Sequence, residues 1–140
     1  MDRSVEVLVV DHDTCNDESF TSLDLSEFSS LRELEVGDYC FTRVENVRIQ
    51  GLNTLEIIWI GQKCFAETPD DSASGCFCVK DCKSLIELKI GCESFRYYSV
   101  CEIENLPSLE EIEIGESHAM NYNFYGSSLT LKSTEGGMAL

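Results

Sequence analysis

Basic side chains are scarce in this chain of 140 residues, in which 10 lysines and arginines face 26 aspartates and glutamates. The formal net charge of −16 at pH 7 opposes binding to the phosphates of nucleic acids and to anionic membranes. A basic protein, a basic peptide or a cation would match this charge better. We therefore expect a protein partner of basic character, no nucleic acid partner and no membrane partner.

Long apolar runs are missing as well, because no stretch reaches the roughly 18 residues that span a membrane. The short run from Val5 to Val10 is typical of a strand, and no signal-peptide cleavage region follows it. The chain also lacks an Asn-x-Ser/Thr glycosylation motif. Its eight cysteines are therefore interpreted as reduced thiols of a cytoplasmic protein rather than as a disulfide framework.

One motif, Leu-x-x-(Leu/Ile)-x-(Val/Ile)-Gly, recurs along the chain. It ends at Gly37, Gly61, Gly91 and Gly115, so the intervals are 24, 30 and 24 residues. Self-similarity at such a period predicts a solenoid of stacked coils, in which each coil buries its apolar side chains against its neighbours. An aromatic residue follows each of the first three glycines at the same distance, namely Phe41, Phe65 and Phe95.

Each coil contains two short stretches in which apolar and polar residues alternate, of the types Leu34-Glu35-Val36 and Val47-Arg48-Ile49. This alternation predicts strands, and we expect the glycine to supply a tight bend between the coil edges. The predicted fold is mainly β, a solenoid of about five coils with two parallel sheets and little helix. Strands of the first sheet are expected near 34–36, 58–60, 88–90 and 112–114, and strands of the second near 23–25, 47–49, 77–79, 101–103 and 129–131.

The repeated stretch Leu31-Arg32-Glu33-Leu34-Glu35-Val36 and its equivalents resemble the strand motif of the leucine-rich repeat family. The Gly-x-x-Cys-Phe variant is similar to divergent microbial or protist repeats with two short strands per coil. The asparagine that is usual in the family is replaced by Tyr39, Lys63, Glu93 and Ser117. The resemblance implies a leucine-rich-repeat solenoid over residues 1–132, which binds protein through its exposed sheet. Residues 133–140 lack the repeat pattern and contain Gly136-Gly137, which predicts a flexible C-terminal tail.

Four cysteines suggest a metal site, but their positions in the repeat favour a structural role. Cys76, Cys78 and Cys82, with Cys64 upstream, could surround a zinc ion. The repeat assigns Cys82 to a core column and Cys78 to an exposed column, so we expect no metal and no cofactor. Cys40 and Cys64 share one column of adjacent coils, where a disulfide would have poor geometry, and free, half-buried thiols are favoured.

The sequence gives little support for a catalytic site or a cation-binding site. The acidic segment from Asp11 to Glu18 fails the calcium-loop template because Asn16 occupies the position of the glycine, and it is interpreted as a surface turn. The histidines, His12 and His118, have no nucleophile motif beside them. A row of Glu33, Glu87 and Glu111 could serve a carbohydrate-acting β-solenoid enzyme, but such rows are typical of a solvated face. We expect no enzymatic activity.

The outward positions of the first sheet form the candidate partner-binding site. They are Glu33, Glu35, Ile57, Trp59, Glu87, Lys89, Glu111 and Glu113. Ile57 and Trp59 form an apolar pair among charged neighbours, and tryptophan is enriched at binding hot spots. In the alternative interpretation, the curved sheet or the inserted loop at 68–75 covers Trp59.

These observations predict a non-catalytic protein-interaction module. The alternative is a structural or capping fragment of a longer leucine-rich repeat protein. The apolar strand at Val5 to Val10 also suggests self-association through the open ends of the solenoid.

Overall fold

The computed structural model describes residues 4–66, 75–96, 98–115 and 128–132, which form ten strands. The strands are β1 (Val7–Val10), β2 (Ser22–Asp24), β3 (Glu33–Val36), β4 (Asn46–Gln50), β5 (Ile57–Ile60), β6 (Gly75–Lys80), β7 (Glu87–Ile90), β8 (Tyr98–Glu104), β9 (Glu111–Ile114) and β10 (Ser128–Lys132). The described residues contain no helix, and thus none that is long and apolar enough to cross a membrane.

The strands form two parallel five-stranded sheets, which confirms the predicted architecture. The first sheet has the order β1-β3-β5-β7-β9 and the second has the order β10-β8-β6-β4-β2. Residues at equivalent positions of the repeat pair directly, so that Leu34 lies beside Ile58 and Ile58 beside Leu88. The result is a β-solenoid of about four turns. The predicted tail at 133–140, the inserted segment at 68–74 and His118 lie outside the described residues.

The core lies between the two sheets and is closed at one side by a stack of aromatic rings. The rings of Phe41 and Phe65 are 5.3 Å apart and inclined by 9°, and those of Phe65 and Phe95 are 4.6 Å apart and inclined by 5°. Tyr98 meets Phe95 edge to face at 4.9 Å. The buried hydroxyl of Tyr98 donates a hydrogen bond of 2.5 Å to the carbonyl of Val44, so the aromatic stack is tied to the backbone of a preceding coil.

The role assigned to the motif glycines from the sequence, a tight bend, is wrong for three of the four. Only Gly115 has a positive φ, of 78°. In the turns that follow β3, β5 and β7, the left-handed residues are instead non-glycine residues, two in each turn: Tyr39 and Phe41, Lys63 and Phe65, Glu93 and Phe95. The amides of the two left-handed residues of one turn bind opposite neighbours: that of Lys63 donates to the carbonyl of Cys92 in the next coil, and that of Phe65 donates to the carbonyl of Cys40 in the preceding one.

A ladder of thiol and hydroxyl groups runs along the turns beside the glycines. The thiol of Cys40 donates a hydrogen bond of 2.9 Å to the carbonyl of Asp11, and that of Cys64 donates one of 3.0 Å to the carbonyl of Gly37. The hydroxyl of Ser94 continues the ladder at 2.7 Å from the carbonyl of Gly61. Cys40 and Cys64 are fully buried, so the prediction of half-buried thiols is wrong: they satisfy carbonyl groups that the stacking of coils removes from water.

Close approach of the coils explains the motif glycines, and it leads to a prediction about Gly91. A methyl group on Gly91 would lie 2.5 Å from the carbonyl carbon of Gly61 and 2.6 Å from the amide nitrogen of Gln62. Because these are backbone atoms, the two coils would have to separate. We expect Gly91→Ala to lower the free energy of unfolding by about 2 kcal/mol, measured by urea denaturation.

Gly51 provides the matched control for this substitution. A methyl group there would meet no atom within 4 Å, although the φ of 71° strains any other residue. Gly51→Ala should therefore lower the free energy of unfolding by about 1 kcal/mol, because alanine is strained in the left-handed conformation. If Gly91→Ala proves no more destabilising than Gly51→Ala, close stacking of the coils does not require the glycine.

Candidate binding surface

The structure brings all eight predicted site residues together on the outward face of the first sheet. One row across the strands consists of Val7, Glu33, Ile57, Glu87 and Glu111, and the next of Val9, Glu35, Trp59, Lys89 and Glu113. Trp59, Glu111 and Glu113 are exposed, and the other five predicted residues are half-buried. We call this face, defined by these ten residues, the row surface.

The indole ring of Trp59 contacts two neighbouring side chains but is partly exposed to solvent. Its indole N–H donates a hydrogen bond of 3.1 Å to a carboxylate oxygen of Glu87. The ammonium group of Lys89 lies over the ring, 5.9 Å from its centroid, within the range of a cation–π interaction. The side chain is nevertheless 40% exposed. Residues 68–74 of the inserted loop, which was considered as its cover, lie outside the described residues.

Two residues of the row surface, Val7 and Val9, were missed by sequence reasoning. They are 51% and 56% exposed, although each is a large apolar side chain. The run from Val5 to Val10 had been interpreted as a strand, and the alternation of side chains along a strand already implies that Val7 and Val9 face the same side. The apolar part of the row surface therefore extends to both sides of β3 and is wider than the predicted pair of Ile57 and Trp59.

A groove with a volume of about 350 Å³ lies at one end of the row surface, where it is lined by Val9, Glu35 and Trp59. It continues to Asp11 and His12 beyond the strand ends. The Nδ1 atom of His12 accepts a hydrogen bond of 2.7 Å from a backbone amide of the next coil. The imidazole is thereby engaged in stacking of the coils, and the carboxylates supply the charge of this groove.

The carboxylates of the row surface differ in whether a hydrogen bond or a nearby cation stabilises their negative charge. Glu87 accepts the hydrogen bond from Trp59, and Glu111 lies 4.0 Å from the ammonium group of Lys89. No side-chain hydrogen bond or ion pair joins Glu33 or Glu35 to another described residue. Two half-buried acidic groups thus lie side by side on β3 without a cation, flanked by apolar side chains.

The suggested zinc ligands do not converge. Cys78 is half-buried on the outer face of the second sheet, beside Arg48 and Glu102 in register, whereas Cys82 and Cys64 are fully buried. Burial raises the pKa of the Cys78 thiol. Over the described ranges, no three ligating side chains are grouped as a metal site requires.

The acidic segment near the N-terminus forms a structural turn. Asn16 pins it to the next coil, because its side-chain amide donates to the carbonyl of Tyr39 and its oxygen accepts from the amide of Thr42, each at 2.9 Å. Asp17 accepts two hydrogen bonds from Ser19, which lower the pKa of the Asp17 carboxyl. These contacts agree with the surface turn expected there.

Sequence and structure were also compared with known proteins. No family model, no curated protein and no solved structure matches the chain.

Proposed function

We propose that the protein is a non-catalytic interaction module that binds a basic protein through the row surface. The observation that carries this proposal is the arrangement of four apolar side chains, three of them exposed, on both sides of two carboxylates that pair with no described cation. Val9 and Trp59 flank Glu35, and Val7 and Ile57 flank Glu33. An exposed apolar patch rimmed by charge is characteristic of protein docking sites.

Charge complementarity supports a basic occupant. The whole chain carries a formal charge of −16, and its field attracts a cationic partner from a distance and slows the approach of an acidic one. The rim carboxylates would then mainly accelerate association, while burial of Trp59 and its apolar neighbours would supply most of the affinity. Because exposed charges are screened, binding should weaken as salt increases.

We also propose a protein family and a cellular location for the chain. We propose that the chain is a divergent leucine-rich-repeat protein, on the strength of the motif that ends in β3, β5, β7 and β9. A cytoplasmic location is supported by the eight free thiols, since reducing compartments preserve them. The alternative of a structural fragment of a longer repeat protein differs in that it requires no partner on the row surface.

The test of the proposed function compares Trp59→Ala with Tyr39→Ala. Tyr39 is a matched control because it is 42% exposed and lies under the ammonium group of Lys63 at 5.4 Å, but is outside the row surface. Each variant and the parent protein are immobilised and exposed to an extract of the producing cells. We expect a basic protein that the parent and Tyr39→Ala retain and that Trp59→Ala loses.

The affinity of the purified partner should fall about thirtyfold for Trp59→Ala, equivalent to about 2 kcal/mol. Isothermal titration calorimetry would measure it. The variant should remain folded, with a free energy of unfolding lowered by about 1 kcal/mol, because it loses the contacts with Glu87 and Lys89 at a side chain that is 40% exposed. If no retained protein distinguishes the two variants, or if Trp59→Ala unfolds the chain, the proposed docking surface is wrong.

Self-association through the solenoid ends is a separate proposal. β1 is the outermost strand of the first sheet, and Val7 and Val9 are exposed on it, so a second copy could extend the sheet by edge pairing. We expect light scattering to show an average mass that rises with protein concentration. A strictly monomeric protein at high concentration would contradict this proposal.

A further inference from the structure

Glu33 and Glu35 form two equivalent sites on one strand. Their positions on β3 are two residues apart, so both side chains face outward. In each case the neighbours in register are apolar: Val7 and Ile57 for Glu33, Val9 and Trp59 for Glu35. Adjacent strands are about 4.8 Å apart, so each glutamate lies between two apolar side chains that are about two strand spacings apart. We call the space between these two side chains the slot at that glutamate.

Each slot has the properties that suit a long cationic side chain. Lysine and arginine carry an aliphatic stem that packs on apolar surface and a charged head that seeks a carboxylate. The slot at Glu35 has in addition the indole of Trp59, on which a guanidinium group can stack while it pairs with the carboxylate. Trp59 already accepts one cation in this structure, the ammonium group of Lys89 at 5.9 Å.

Lys89 leaves the slot at Glu35 open. It belongs to β7, which pairs with β5 on the side opposite β3. Its ammonium group lies within 4.0 Å of a carboxylate oxygen of Glu111, which draws it further from β3. The chain's own cation therefore approaches the indole from one side, and the side toward Glu35 and Val9 borders the groove of about 350 Å³.

The spacing of the two slots selects a conformation of the ligand. Residues two apart in a strand are about 6.6–6.8 Å apart, and this is also the distance between alternate side chains of any extended peptide. A peptide that lies along β3 would direct two side chains separated by one residue into the slots. Adjacent cationic residues would point to opposite faces, so that only one of them could reach the sheet.

We propose that the row surface recognises an extended segment of the type Arg-x-Arg, with one arginine in the slot at Glu33 and the other in the slot at Glu35. This inference rests on the proposed function and specifies the chemistry of the partner. Its ligand is a protein or peptide segment in an extended conformation, and the middle residue of the triplet faces away from the sheet. The requirement for alternation distinguishes such recognition from general attraction between an acidic protein and basic chains.

The single tryptophan of the chain allows a direct test, because its fluorescence reports on the slot at Glu35. Three synthetic peptides serve as probes: acetyl-Gly-Arg-Val-Arg-Gly-amide, its isomer acetyl-Gly-Val-Arg-Arg-Gly-amide, and a version of the first with citrulline in place of both arginines. We expect a saturable change of Trp59 fluorescence with the first peptide, with an affinity about fivefold or more above that of the isomer. The citrulline peptide, which keeps the shape and loses the charge, should not bind.

Matched variants separate the two slots from overall charge. Glu33→Gln combined with Glu35→Gln should weaken binding of the first peptide by about tenfold or more, because both charge-assisted contacts are lost. Glu18→Gln combined with Glu27→Gln removes the same number of charges from exposed positions elsewhere and should change the affinity by less than about threefold. Circular dichroism checks that both double variants remain folded.

Three results would overturn the inference: no fluorescence change with the first peptide, equal affinities for the two arginine isomers, or equal effects of the two double variants. None of these would remove the proposed function, which depends on the difference between Trp59→Ala and Tyr39→Ala in retaining a protein. Conversely, if Trp59→Ala retains every protein that the parent retains but the peptide binds as expected, the slots recognise the motif without serving as the docking surface.

Discussion

Replacing Phe65 with alanine is expected to lower the free energy of unfolding by about 3–5 kcal/mol, the usual range for a fully buried phenylalanine. Phe65 is the middle ring of the aromatic stack, with Phe41 at 5.3 Å and Phe95 at 4.6 Å. Its loss would leave a cavity that neither neighbour can fill without leaving its own coil. In a solenoid, whose stability depends on contacts between neighbouring coils, this cavity lies between the two halves.

The matched control for this substitution is Phe20→Ala. Phe20 is half-buried at the end of the stack and meets only one ring of the stack closely, that of Phe41 at 5.6 Å with a tilt of 50°. We expect Phe20→Ala to lower the free energy of unfolding by less than half as much as Phe65→Ala does. Urea denaturation followed by circular dichroism measures both values. Equal costs for the two substitutions would mean that the stack does not couple the coils.

The aromatic stack also illustrates why much of this fold could be predicted from the sequence. A parallel solenoid places equivalent residues of successive coils side by side, so an aligned column of the sequence is also a column in space. Phe41, Phe65 and Phe95 share one column and stack, and Leu34, Ile58 and Leu88 share another and pair in register. Period and alternation were sufficient to predict both sheets and the outward position of every predicted site residue.

The contacts that sequence reasoning missed depend on the distance between coils. An alignment of the repeats shows which residues are neighbours in successive coils, but not how closely the backbones approach. Gly91 was explained by a bend, whereas it is required because the backbone of the preceding coil lies within 2.5 Å of its missing methyl group. Cys40 and Cys64 were expected to be only half-buried, and the carbonyl groups that their thiols satisfy were not predicted. In both cases the cause is a backbone atom of another coil, whose position follows from turn geometry rather than from residue type.

Eight of the ten residues of the row surface were named from the sequence, but the organisation of the surface was not predicted. The rows of Glu33 to Glu111 and Glu35 to Glu113 followed from alternation, and Trp59 stood out as the apolar exception. Recognition of the two slots required the opening strand, because Val7 and Val9 supply one wall of each. The side-chain partners of Trp59 could not be predicted, because a tryptophan beside acidic and basic residues has several rotamers with different neighbours.

Alkaline pH is expected to unfold the protein through its buried thiols. Burial raises the pKa of Cys64 to about 12, of Cys82 to about 11 and of Cys101 to about 12, from an ordinary value of 9.0. Between pH 9 and these values, the unfolded chain releases protons that the folded chain retains. The stability contributed by the neutral thiols is therefore complete below pH 9 and is lost as the pH rises toward 11–12.

The expected loss is large because three thiols act in the same direction. Each contributes at most about 1.4 kcal/mol per pH unit in this window, and together they contribute about 4 kcal/mol per unit. Burial also raises the pKa of the Tyr98 hydroxyl, which adds to the effect above pH 10. A domain with the usual stability of about 5–15 kcal/mol should then unfold cooperatively near pH 11, as monitored by circular dichroism under anaerobic conditions.

Single cysteine variants identify the thiols responsible. Cys82→Ala removes one titrating group, so the free energy of unfolding should fall less steeply between pH 9 and 10.5, by about 1.4 kcal/mol per pH unit at most. The comparison uses slopes, because the substitution also changes the stability at neutral pH. Cys15→Ala is the control: its thiol is exposed, and its removal should leave the slope unchanged. If Cys82→Ala and Cys15→Ala show the same slope as the parent protein, the thiol of Cys82 is not held neutral by burial, and the alkaline transition arises from other groups.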